Sequence, residues 1–307
     1  MNPPRFLSVR DLQPSEICAV VERAAAMKKG AASKAFEGRT VALLFEKPSL
    51  RTRGSFEVGI HQMGGHCFYT GGEEVGLGVR EPVADVAKVL SRYVDGIVAR
   101  VNSHAALEEL AACASVMVVN ALSDWEHPCQ TMADLQTMQE AKGDLSGLRV
   151  AFIGDGNNVA RSLALGVASV GGSFVIASPP GYQLDGASVE EASLCAAETG
   201  APAPLMLTEP GEAVVDADVV YTDVWVSMGD EQDRAARLAA FQGYTVNPEL
   251  LSLARPDAIF MHDMPAHYGE EVPAGMLDHP QSVAFDQAEN RLHAQKALLE
   301  YLNHSVN

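Results

Sequence analysis

Apolar residues along the chain gather into short unbroken runs separated by longer stretches with helical spacing. Thr40–Phe45, His66–Thr70, Gly96–Val101 and Val116–Leu122 are rich in β-branched, aliphatic and aromatic residues, and they predict buried strands. Arg53–Met63, Pro82–Tyr93 and Ala105–Cys113 read as helices between them, and another helix follows at Thr131–Lys142. The pattern then restarts. Strands are predicted at Leu148–Ile153, Ser173–Ala177, Asp218–Thr222 and Ala258–His262, with a short one near Val283–Phe285 and a final helix over Gln287–Leu302.

Apolar strands alternating with helices imply parallel sheets covered on both faces. Two such series predict an α/β protein with two doubly wound parallel-sheet lobes. The break falls near Lys142-Gly143-Asp144, giving lobes 1–142 and 143–286. The segment 287–307 then forms a C-terminal helix crossing back to the first lobe. In open parallel sheets ligands sit beyond the carboxyl ends of the strands, so chemistry is sought just after each strand.

Composition narrows the class. The chain has 307 residues, 47% of them hydrophobic and 20% charged, which suits a folded globular protein. No apolar run is long enough for a membrane span, and Met1–Phe6 lacks the basic and apolar segments of a secretory signal. The five cysteines are scattered and none has C-x-x-C spacing, which predicts reduced thiols and a cytoplasmic protein without a zinc framework. A net charge of −18 argues against nucleic-acid binding. It also means that any anionic substrate needs arginines concentrated at its site.

Such a concentration follows the first long strand, in Ser49-Leu50-Arg51-Thr52-Arg53. A helix start offers free N–H groups and the positive end of a dipole, Ser49 and Thr52 offer hydroxyls, and Arg51 and Arg53 offer guanidinium forks suited to phosphate. A Ser-capped helix start with incidental arginines fits these residues equally well. Arg100 ends another strand, and His127-Pro128-Cys129-Gln130 follows the next, bringing a donor for a carbonyl oxygen and an amide group.

Together these motifs resemble the carbamoyl phosphate site of the aspartate/ornithine carbamoyltransferase family, with Leu50 standing where the family usually has Thr. The resemblance implies that Ser49, Leu50, Arg51, Thr52 and Arg100 hold the phosphate. It implies that His127, Gln130, Arg100, Thr52 and Arg291 (in Glu289-Asn290-Arg291) hold or polarise the carbamoyl group. The loop Val75–Pro82 sits where the family places a mobile segment reaching a neighbouring subunit, which implies a homotrimer or a multiple of trimers.

The second series opens with Gly154-Asp155-Gly156-Asn157-Asn158-Val159. Val159 breaks the dinucleotide pattern G-x-G-x-x-G, so a nicotinamide site is disfavoured. The run matches the ornithine members of the family instead, as does Asp223-Val224-Trp225-Val226-Ser227-Met228-Gly229. The resemblance implies that Asn158, Asp223, Ser227 and Met228 bind the amino-acid end of L-ornithine. The last strand leads to His262-Asp263-Met264-Pro265, where those members show His-Cys-Leu-Pro with a cis proline. Met264 and Asp263 then lie by the reacting amine.

Asp263 beside an amine stabilises the ammonium form unless the carboxylate takes the proton as base. Three readings stand: Asp263 works with ornithine, it marks a different amine acceptor, or it turns away onto His262 or a backbone group. The activity implied is transfer of the carbamoyl group of carbamoyl phosphate to the side-chain amine of L-ornithine, giving citrulline and phosphate within arginine biosynthesis. Arg100, His127, Asp263 and Arg291 would serve the chemistry, with no cofactor or metal. A relative that binds carbamoyl phosphate without turning it over is the alternative from another class.

Overall fold

The computed structural model describes residues 3–227 and 231–304. Among these residues ten strands form two five-stranded sheets. The first contains β1 (Arg5–Phe6), β2 (Thr40–Phe45), β3 (His66–Gly71), β4 (Gly96–Arg100) and β5 (Met117–Leu122), in the order β1-β5-β4-β2-β3. The second contains β6 (Arg149–Ile153), β7 (Ser173–Ala177), β8 (Leu205–Leu207), β9 (Val219–Thr222) and β10 (Ile259–His262), in the order β10-β9-β6-β7-β8. Every ladder is parallel. The two-sheet α/β architecture read from the hydrophobic pattern is therefore the fold.

The chain divides into two compact units, Met1–Gln136 with Glu289–Asn307, and Thr137–Ala288. In the first, Val41–Leu44 and Ile97–Ala99 are wholly buried, and Ala42, Leu44, Ile97 and Ala99 pack with the helices Val83–Leu90 and His104–Cys113. In the second, Ala151, Ile153, Val175, Val220 and Phe260 form the sheet's contribution to one core, which Trp225, Phe241 and Tyr244 complete. Burial on both faces explains why these strands are continuous apolar runs rather than alternating ones.

Two helix starts lie earlier than the apolar pattern places them, and this bears on the site. The expected helix at Arg53 begins at Leu50, with Ser49 as its N-cap accepting the Thr52 N–H at 3.3 Å. Leu50, Arg51 and Thr52 thus occupy the first turn, where backbone N–H groups have no partner within the helix. The helix expected at Thr131 begins at Pro128, a residue suited to the first helical position.

One expected strand is absent. Beside an isolated parallel bridge of Ser282 with Phe260 of β10, the Val283 N–H donates to Phe260 O (3.0 Å), and the chain then enters the helix Ala284–His304. The Gln287 N–H on Val283 O, at 2.8 Å, commits it to helical geometry. Phe285, apolar but 57% exposed, gives no inward face to a strand. From Glu289 onward this helix belongs to the first unit, where Arg23 pairs with Glu300 at 2.5 Å and Lys296 donates to Gln62 at 2.8 Å. The expected return of the last helix to the first lobe is thus present.

Gly156, just after β6, is fixed by close approach. A Cβ there would stand 2.3 Å from Leu184 N and 2.4 Å from the Gln183 carbonyl carbon, both backbone atoms. Gly156→Ala is expected to cost about 1–3 kcal/mol of stability by overpacking. Gly186→Ala, where nothing lies within 4 Å, should be close to neutral. Urea midpoints of the two variants check this, and equal midpoints would show that the loop yields freely.

Candidate active site

In the first unit three neighbouring strands deliver the polar residues from their carboxyl ends. β2 and β4 pair Phe45 with Arg100, and β4 and β5 pair Arg100 with Leu122. The Glu46 N–H donates to Arg100 O at 2.8 Å, and Glu46 Oε2 accepts the Asn102 N–H at 2.6 Å. The loops leading to Ser49 and away from Arg100 are thereby tied together.

Arg291, from the last helix, donates from Nη2 to Thr52 Oγ1 at 2.6 Å. Ser49 Oγ donates to the same oxygen at 3.0 Å. A hydroxyl has two acceptor lone pairs and one proton, so Thr52 keeps its proton for another acceptor. Arg51 is half-buried, and its Nε has no hydrogen-bond partner among the described residues. Leu50 is 85% exposed, so it offers this first turn only its backbone N–H. Arg53 turns elsewhere: it pairs with Glu57 at 3.2 Å and lies 3.8 Å over the Tyr69 ring. That packing leaves Arg51, not Arg53, as the guanidinium of the helix start.

His127 is buried at the head of the helix Pro128–Lys142, its carbonyl accepting the Gln130 and Thr131 N–H groups. Burial, with Arg291 and Arg100 nearby, holds its imidazole well below the usual value, so it is neutral at physiological pH. Gln130 is also buried. Its Nε2 donates to Asp134 Oδ1 at 2.8 Å, while its Oε1 has no partner among the described residues. Asp134 therefore fixes the amide so that it presents an acceptor. The sequence reading omitted Asp134, although its spacing of four from Gln130 on a helix is a readable signal.

The second unit repeats the arrangement with β6, β9 and β10, adjacent in the sheet. Thr222 Oγ1 donates to Ile153 O at 2.6 Å, joining the ends of β9 and β6. Asp223 accepts from Asn157 Nδ2 at 2.8 Å and from the Val224 N–H at 2.6 Å, so both its oxygens are oriented. Asn157 also caps the helix Asn158–Ser169. Asn158 opens that helix, half-buried. Downstream, Arg237 bridges Asp155 Oδ2 (2.7 Å) and Trp225 O (3.1 Å), bracing the segment that ends at half-buried Ser227. Met228 lies outside the described residues.

At the end of β10, His262 Nε2 donates to Glu271 Oε1 at 3.2 Å and Nδ1 accepts the Met264 N–H at 2.9 Å. These partners define a neutral tautomer with its proton on Nε2. Asp263 Oδ1 lies 3.6 Å from Nδ1, beyond hydrogen-bonding range of a nitrogen that already accepts. No hydrogen bond joins Asp263 Oδ1 to the ring, although the two stand at ion-pair distance. Asp223, His262 and Asp263 offer polar atoms within 4.8 Å of one another, so the two carboxylates face a common space. Met264 has φ +57°, rare for a non-glycine residue, and the Met264-Pro265 peptide is cis.

The comparisons with known proteins cover the whole of this arrangement. Residues 5–140 match the aspartate/ornithine carbamoyltransferase carbamoyl-P binding domain, and residues 146–302 match the Asp/Orn binding domain of the same family. An ornithine carbamoyltransferase of Thermococcus kodakarensis is 49% identical over 297 residues, covering 95% of this chain and 94% of that protein. One of Pyrococcus furiosus, named as anabolic, is 47% identical over 298 residues, covering 96% and 94%. A solved ornithine carbamoyltransferase structure from Pyrococcus furiosus superposes with a TM-score of 0.92 at 46% identity and covers 96% of each chain.

The depressed His127 pKa has a stability consequence. The unfolded chain takes up a proton near the usual imidazole value of about 6.5, and the folded chain does so only at lower pH. The folded state therefore gains from His127 above about pH 6.5 and loses that gain as pH falls toward the folded value. Between pH 7 and 5 the wild-type melting temperature is expected to fall more steeply than that of His127→Gln in scanning calorimetry. Parallel curves would contradict a neutral buried His127.

Proposed function

The chain belongs to the aspartate/ornithine carbamoyltransferase family, and we propose that it transfers the carbamoyl group of carbamoyl phosphate to the side-chain amine of L-ornithine, giving citrulline and phosphate. The reading places it in arginine biosynthesis, in line with the anabolic relative. On this reading residues 1–142 are the donor domain, 143–286 the acceptor domain, and 287–307 the C-terminal segment, whose helix, described to His304, returns Arg291 to the donor side.

The observation that carries the donor assignment is the chain of bonds from Ser49 through Thr52 to Arg291, with Arg51 beside it. Ser49, Arg51, Thr52, Arg100 and the Leu50 N–H receive the phosphate. The carbonyl oxygen takes hydrogen bonds from His127, Arg100 and Arg291. Gln130 Oε1, left open while Asp134 holds Nε2, accepts from the carbamoyl NH2. As the amine attacks, charge grows on the carbonyl oxygen, and oriented donors gain most at that point. Phosphate then leaves with its charge already neutralised.

On the acceptor side Asn158, Asp223, Ser227 and Met228 hold the amino-acid end. Asp263, oriented into the same space as Asp223, receives the proton from the attacking amine, and the Met264 carbonyl accepts a hydrogen bond from that amine. A pair of carboxylates suits a substrate that carries two amines. A homotrimer fits the resemblance of the segment 75–82, whose Val79 is 93% exposed at the tip of a turn closed by the Gly78 N–H on Glu81 O. Five cysteines outside any disulfide fit a reducing cytoplasm, and no helix among the described residues is long and apolar enough to cross a membrane.

Citrulline formation from carbamoyl phosphate and a panel of amines tests this reading. Ornithine should be the preferred acceptor, and a different preferred amine would overturn the acceptor assignment. Below the amine pKa, kcat/KM for ornithine should rise about tenfold per pH unit, since only the neutral amine attacks. Asp263→Asn should lower kcat by about 10²–10⁴ if its carboxylate takes the proton. An unchanged kcat would leave Asp263 outside the chemistry. Arg100→Met should cost about 10²–10³ in kcat, as loss of an oxyanion donor does.

A further inference from the structure

Beyond β10 the chain runs His267-Tyr268-Gly269-Glu270-Glu271. The Glu270 N–H donates to His267 O at 3.0 Å, and Gly269 has φ +92°. This is a tight turn with glycine at the place that needs a positive φ. Its first and fourth side chains come together, His267 Nδ1 standing 3.9 Å from Glu270 Oε2. Glu271 folds back beneath them. Its Oε1 accepts the His267 N–H and the Nε2–H of His262.

Glu271 is fully buried, yet its second oxygen has no partner among the described residues. His267 Nδ1 and Glu270 Oε2, 3.9 Å apart, likewise make no hydrogen bond among the described residues. A buried polar atom without a partner costs free energy, and three in one turn are more than folding alone explains. The imidazole and the two carboxylates offer ligand atoms within 4.8 Å of one another. Arg234, on Glu270 Oε1, brings one positive charge to two carboxylates, leaving the cluster negative. The His267 side chain is 40% exposed, so the cluster opens to solvent.

We propose that His267, Glu270 and Glu271 bind a divalent cation of the zinc class. One imidazole nitrogen with two carboxylate oxygens suits that class, whereas magnesium prefers an all-oxygen octahedron. The cation completes the orphaned atoms of the turn. It also sits close to the acceptor side, because Glu271 holds His262 and His262 holds the Met264 N–H. The nearby group of Asp223, His262 and Asp263 is a poorer site. Both nitrogens of His262 and both oxygens of Asp223 are already engaged.

The test is equilibrium dialysis of the chelator-treated full chain against Zn2+, with the bound metal measured directly. One zinc per chain is expected, with no comparable retention of Mg2+. His267→Ala and Glu270→Gln should each weaken zinc binding by more than about tenfold, while Asp263→Asn leaves it unchanged. Unaltered melting temperatures of the metal-free variants would establish that the loss is not unfolding. Absence of bound zinc in the wild type, equal retention of Mg2+, or loss of zinc in Asp263→Asn with retention in His267→Ala would overturn the proposal.

Discussion

The hydrogen bond from Arg291 to Thr52 is the interaction on which the donor side depends. It joins residues 239 apart in sequence, one on the last helix and one in the first turn of the helix after β2. It brings a third guanidinium to a place where Arg51 and Arg100 already stand. In a chain of net charge −18 such a concentration of arginines is what the proposed anion site requires. Burial, with Arg291 and Arg100, keeps His127 neutral. A neutral imidazole keeps one N–H, which can still donate to a carbonyl oxygen.

The acceptor side rests on a different constraint, the prior orientation of carboxylates. Asn157 and the Val224 N–H take both oxygens of Asp223, so its direction is set before any ligand arrives. The hydrogen bonds of His262 go to Glu271 and Met264, with Asp263 Oδ1 3.6 Å from its Nδ1. Two negative groups thus face one space, which favours a cationic amino acid in binding and disfavours the neutral amine that must react. The tension resolves if Asp263 takes the proton as the new bond forms.

Much of the fold was legible because parallel strands buried on both faces leave unbroken apolar runs. β2 and β7 were bounded to the residue for that reason. β1, with two residues, and β8, with Leu205 and Met206 nearly half exposed, leave no such trace. Val283 and Phe285 resembled a strand because composition does not reveal that Phe285 faces outward. At the site, motif order named side chains but not what holds them. Asp134 behind Gln130 and the stacking of Arg53 on Tyr69 are settled by tertiary packing, which periodicity does not encode. The earlier helix starts were readable in principle, from Ser49 as a cap and Pro128 as a first residue.

If Arg51, Arg100 and Arg291 build an anion site in an otherwise acidic protein, inorganic phosphate itself should bind there. The direct measurement is the melting temperature in inorganic phosphate against chloride at matched ionic strength. Phosphate should stabilise the wild type, by about 2.7 kcal/mol at a concentration 100 times its Kd, and Arg51→Met should lose that gain. Equal melting temperatures in the two salts, or a phosphate shift that survives Arg51→Met, would contradict the account.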